Sequence, residues 1–139
     1  MSVEQNKVLR EKWTTLIANR KLDEALALLS PDFVSHTPMG PRGVEGTRSY
    51  FEMSFAAFPD QQVTSIQIIA EGDMLVDYMR VDAIHTGPFM GIPPTGKRLS
   101  FTFIDIVRYA NGKIVEHWNE TDMFGLMQQL GVIPVPSAI

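Results

Sequence analysis

Leu99 to Glu120, LSFTFIDIVRYANGKIVEHWNE, is the stretch on which the reading of the fold turns. Leu99 to Tyr109 is apolar and β-branched enough for one long strand, and Lys113 to about Glu120 suits a returning one. Between them stands Asn111-Gly112, the strongest short-range hairpin signal in the chain. Upstream, Val63 to Ile69 and Met74 to His85 read as another strand pair, turning at Glu71-Gly72-Asp73. Downstream, Met123 to Leu130 reads as a short helix closed by Gly131.

The first third of the sequence has a helical period. Ser2 and Gln5 have capping-box spacing, and Leu9, Trp13, Leu16 and Ile17 follow at helical intervals. A second helix carries Leu22, Ala25, Leu26 and Leu29 on one stripe, stopped by Pro31. Asp32 to His36 is a short β-like stretch leading into a turn through Pro38, Gly40, Pro41 and Gly43. A third helix from about Val44 to Phe58 should bury Val44, Phe51, Phe55 and Phe58. Three helices followed by a meander of antiparallel strands is an α+β pattern. Such a sheet is expected to curl, with helices on its concave face and a conical cavity open at one end.

At 139 residues, one domain spanning 1–139 is expected, without repeat or linker. Twelve basic against sixteen acidic residues give a net charge of −4, which argues against a nucleic-acid partner. There is no cysteine, hence no disulfide framework and no thiolate nucleophile. The polar N-terminus lacks a signal-peptide core, and no apolar run approaches the ~20 residues of a membrane span. The expectation is a cytoplasmic protein with no membrane contact.

Several motifs in the same order resemble the SnoaL-like polyketide cyclases. The loop His85-Thr86-Gly87-Pro88-Phe89-Met90-Gly91-Ile92-Pro93-Pro94-Thr95-Gly96-Lys97 is similar to one of that family. So are the hairpin from Ile104 to Trp118 and the terminus of Asp122 with Gly125 to Gly131. Phe58-Pro59-Asp60 and His36 with Pro38 and Gly43 also match. The resemblance runs from about Phe33 to Gly131. It implies a nuclear-transport-factor-2-like cone, usually dimeric or tetrameric, and intramolecular aldol ring closure without metal or organic cofactor. The same cone hosts hydrolases, isomerases and non-catalytic binding modules, so fold alone does not select among them.

Asp122 matches the acid/base aspartate of the family. One carboxyl can remove and return a proton if an apolar pocket raises its pKa. It also stands where the last helix begins, and aspartate is a preferred N-cap, so both roles are open. His36 and His85 each end a strand beside a Gly/Pro-rich loop, where either can steady an enolate or simply brace the loop. A two-histidine, one-carboxylate metal site is not expected. Trp118, Tyr78, Asp105, Phe33, Phe51 and Phe89 are the candidate substrate contacts, for a small apolar molecule bearing a carbonyl. Asp105 can instead form an ion pair with Arg108 or Arg80. His117 faces away from Trp118 on its strand and reads as structural. The loop Thr86 to Lys97 lacks Walker spacing and reads as a lid or rim.

A cone with helices on one side leaves the other sheet face bare. A homodimer or tetramer is therefore expected through the outer face. Val107, Ile106 and His117 are possible contributors, and the apolar tail from Val132 would reach over the partner. Three functions compete: a cofactor-independent cyclase, a non-catalytic cone for a hydrophobic ligand, and a hydrolase or isomerase. Polar groups converging inside the cavity would favour catalysis.

Overall fold

The computed structural model describes residues 1–37 and 40–135. Pro38, Pro136 and the end of the tail, on which the resemblance and the tail expectation partly rest, lie outside the described residues. The helices are α1 (Val3–Ala18), α2 (Leu22–Leu26), α3 (Val44–Ala57) and α4 (Met123–Leu130). The strands are β1 (Leu29–His36), β2 (Gln62–Glu71), β3 (Met74–Ile84), β4 (Arg98–Ala110) and β5 (Lys113–Thr121). One five-stranded sheet runs β1-β5-β4-β3-β2, antiparallel except for the parallel β1–β5 pair.

Local chemistry accounts for the element boundaries. The Ser2–Gln5 capping box starts α1, each side chain bonding the other's backbone N–H. Asn111 (φ 52°) and Gly112 (φ 76°) both take positive φ, the geometry of the turn that matches strand twist. The second helix departs from the sequence reading. It ends at Leu26, and Leu29 opens β1 instead of joining the helical stripe. Pro31 lies inside that strand, which is possible because β1 is an edge and its register shifts between Leu29 and Val34.

Two apolar clusters fill the concave side. Leu26, Leu29, Phe33, Leu75, Val107, Tyr109 and Ile114 form one, under α1 and α2. Ala57, Phe58, Val81, Ala83, Leu99, Leu126 and Leu130 form the other, between α3, α4 and the sheet. Within α3 the buried residues are Thr47 and Ala57, with Phe58 just beyond its end. Val44, Phe51 and Phe55 are only half-buried.

Register fixes what points where. Asp77 pairs with Asp105, Asp105 with Asn119, and Val107 with His117, and directly opposed residues share a face. This is the concave face. Tyr78, Ile104, Ile106 and Trp118 alternate with them and belong to the outer face, where Tyr78, Ile104 and Ile69 are exposed. The outer-face assignment therefore holds for Ile106 but not for Val107, which is 1% exposed in the core, nor for His117.

Candidate active site

A chain of charged and polar side chains crosses the concave face between the two apolar clusters. Arg10, on the inner face of α1, is its pivot. Its Nε donates to Asp77 Oδ2 at 2.8 Å and its Nη2 to Asp105 Oδ2 at 2.9 Å. Asp77 Oδ1 accepts from Ser65 Oγ at 2.6 Å. Asp105 Oδ1 accepts from His117 Nε2 at 2.9 Å and from Asn119 Nδ2 at 2.8 Å. The other imidazole nitrogen, Nδ1, lies 2.7 Å from Ser35 Oγ. Because Nε2 faces a carboxylate, it carries the hydrogen, and Nδ1 accepts from the serine.

Electrostatics keep Asp105 ionised. Burial pushes its carboxyl pKa up, but the charge and hydrogen bond of His117, then Arg10 and Asn119, outweigh that and hold it well below the usual carboxylate range. Arg10 stays charged for the converse reason: burial pulls its pKa down, and Asp105 and Asp77 more than restore it. Burial also lifts the Tyr109 phenol, to about 12. His117 keeps 18% of its side-chain surface open and Asp105 11%, whereas Ser35 is fully enclosed. A cleft of about 340 Å³ opens beside the network, lined by Lys7, Arg10, Glu11, Thr14, Ser65, Ile68 and Asp77. That lies near the lower end of small-molecule sites.

Arg42 enters the same face from the other side. It pairs with Ser35 as an isolated antiparallel bridge, and its guanidinium sits over the Tyr50 ring, 4.5 Å from the centroid. Burial lowers the Arg42 pKa and raises that of the Tyr50 phenol. The Tyr50 ring nevertheless keeps 41% of the residue's surface open, so the desolvation is local to its polar end.

The residues singled out from the sequence are distributed differently. Asp122 is exposed and caps α4, its Oδ1 accepting from Gly125 N at 2.9 Å. A Cβ at Gly125 would run into that carboxylate, so the bare glycine is what lets the cap close. The strand ends at Thr121, and strand parity does not extend to Asp122. His36 is paired with Glu116 at 2.7 Å and stacked on Trp118, 5.2 Å between ring centroids. Its hydrogen bond and that of Arg108 hold the Glu116 pKa down. His36 and Trp118 border a separate hollow of about 280 Å³ with Thr37, Asn119 and Glu120. His85 is buried, with Nδ1 taking the N–H of Thr95 at 3.3 Å and lying 3.0 Å from its hydroxyl, which ties down the Thr86–Lys97 loop.

Phe33 is in the core, Phe89 packs on Phe58, and Phe51 touches Trp13 edge-on. Tyr78 and Trp118 are on the outer face. Of all these candidates, the concave network contains only Asp105. Its partner is Arg10, in place of Arg108 or Arg80; Arg108 bonds Glu116 instead. His117, read as structural, stands in that network and faces the helices. Arg10, Asp77, Ser35 and Arg42 were missed. Among the described residues no group of three histidine, aspartate or glutamate side chains is placed to hold a metal ion. No helix among them is long and apolar enough to cross a membrane.

The model of the SnoaL-like polyketide cyclase family matches residues 7–130. The chain belongs to that family. It is 27% identical over 108 residues to the aklanonic acid methyl ester cyclase DnrD of Streptomyces peucetius, covering 76% of this chain and 73% of that one. With the nogalonic acid methyl ester cyclase of Streptomyces nogalater it shares 23% identity, over 80% of this chain and 86% of the relative. Among solved structures, AclR of Streptomyces galilaeus, named as a candidate hydroxylase, superposes with a TM-score of 0.90. That pair is 31% identical, and the match covers 98% of this chain and 87% of AclR. The α+β cone expected from the sequence is thus the fold of the family.

Proposed function

We propose that this SnoaL-like protein closes a ring in a planar, carbonyl-bearing polyketide by intramolecular aldol chemistry, with His117 as the proton carrier. The observation that carries this reading is the Asp105–His117 pair on the concave face. Asp105 orients the imidazole, His117 keeps 18% of its side-chain surface open, and imidazole is the side chain most often used to take and return a proton in catalysis. The imidazole takes a proton from carbon beside a carbonyl. The resulting enolate carbon attacks a second carbonyl, forming a C–C bond and breaking the C=O π bond. The imidazolium then returns its proton to the new alkoxide. Ser35 Oγ covers Nδ1 in the resting state, so the Ser35 side chain must rotate off the ring before Nδ1 takes the proton.

The methyl esters named for the two relatives are the natural first substrates. Purified protein incubated with aklanonic or nogalonic acid methyl ester should yield a cyclised product of unchanged mass. A product heavier by one oxygen atom would instead favour an AclR-like hydroxylase reading, and no rate above the uncatalysed one would leave a binding role. The protein would work in the cytoplasm as a homodimer or tetramer. The exposed Tyr78, Ile104 and Ile69 on a face without helices support that assembly. A monomer by light scattering at micromolar concentration would rule it out.

A further inference from the structure

Ser35 and Arg42 exchange both backbone hydrogen bonds, N to O distances of 2.8 and 3.0 Å. A pair bonded in this way is directly opposed, about 5.5 Å apart at Cα, with both side chains on one face. Ser35 Oγ touches His117 Nδ1, so the Arg42 side chain is on the concave face next to the proton carrier. Its guanidinium rests on the Tyr50 ring and makes no side-chain ion pair among the described residues. Its Nε is buried and has no acceptor among the described residues. The nearest interior carboxylate is already engaged: Asp105 accepts from His117 and Asn119 on one oxygen and from Arg10 on the other. An arginine fork prefers a planar, negatively charged oxygen acceptor. Gly46 leaves room for the Arg42 stem, since a Cβ there would press on Arg42 Cβ at 2.7 Å, and the Tyr50 ring supports the guanidinium from beneath.

We propose that Arg42, steadied by Tyr50, receives the substrate oxygen that becomes negative when His117 removes the proton. This rests on the cyclase reading and deepens it, by assigning the substrate an enolisable carbonyl presented to Arg42. Proton transfer to His117 creates a positive imidazolium and a negative enolate oxygen together, and a guanidinium waiting at the oxygen stabilises that charge without reorganising. Burial weakens the hydration of Arg42, which strengthens its pull on an anion.

The test reads binding, apart from turnover. The probes are 2-naphthoate, a stable planar mimic of an anionic oxygen on an aromatic frame, and the neutral 2-naphthamide, titrated calorimetrically near neutral pH. The wild-type protein should prefer the acid by about 10–100-fold. Arg42→Gln should erase that preference while lowering amide affinity far less than acid affinity, and Arg42→Lys should keep only part of it. No preference in the wild type, or full preference in Arg42→Gln, overturns the proposal. Should Arg42→Gln fail to fold, the lysine variant decides, and a preference at the wild-type value sinks the idea. An acid preference without ring closure would refute the cyclase reading alone; ring closure without the preference would refute Arg42 alone.

Discussion

Replacing His117 by glutamine should lower the turnover of ring closure by about 10²–10⁴-fold, the range expected when a general acid–base group is lost. Glutamine keeps a donor for Asp105 and a polar atom near Ser35, so the network loses little more than its proton carrier. Substrate affinity should change far less than kcat, because the missing interaction belongs to the transition state. Asp122 gives the contrast. As a helix cap on the surface it tolerates asparagine, which caps about as well, whereas alanine costs about 0.5–2 kcal/mol of stability. Steady-state kinetics and thermal melts of the three variants check both statements. Near-wild-type turnover in His117→Gln together with an inactive Asp122→Asn would transfer the chemistry to Asp122.

The largest stability effect is expected at Arg10. Arg10→Met fits the space but strands Asp77 and Asp105 opposite each other on paired strands, two buried carboxylates without their cation. Removing one partner of a buried ion pair costs about 3–5 kcal/mol, a large share of a small domain's stability. The pH dependence carries its own signature. In the wild type, the folded pKa of Asp105 is depressed, so its contribution is fully present above the unfolded value of about 3.9 and is lost as pH falls from there through the lower folded value. In Arg10→Met, Asp105 loses the Arg10 charge that helps hold its folded pKa down, while His117 and Asn119 remain, so the depression shrinks. The wild type therefore loses more stability than the variant as pH falls from about 3.9 through the folded value of Asp105. Urea melts at about pH 7 and about pH 3 should show the gap between them narrowing. A constant gap would mean that Arg10 acts through packing alone.

Much of the fold could be read from short-range chemistry. The capping box at Ser2, the Asn111-Gly112 turn and the α4 boundaries each depend on residues within a few positions of one another. The site depends on the opposite. Arg10 meets Asp77 and Asp105 across 67 and 95 positions, and no local pattern announces such a partnership. A signal was nevertheless available, because Arg10 interrupts the apolar face of Leu9 and Trp13, and Asp77 and Asp105 alternate with Leu75, Met79 and Val107 on one strand face. Charges recurring on otherwise apolar faces need partners. His117 was harder to place, since the β4–β5 register shifts between Arg108 and Tyr109 and parity cannot be counted through a bulge. Asp122 illustrates how a motif fixes a position without fixing a role. Its match to the family survives in the sequence, and Gly125 N–H takes up the carboxylate.

The reach of the Arg10 contacts also orders events during biosynthesis. At about 5–20 residues per second, the ribosome delivers Asp105 roughly 5–20 s after Arg10. Asp77 arrives earlier, 67 positions after Arg10, and until then the nascent helix has neither counter-ion. The helix α1, made before the strands, is thus locked only when Asp105 on β4 has been added. A release or pause before residue 77 would leave an exposed helix carrying an unmatched guanidinium, a form suited to capture by a chaperone.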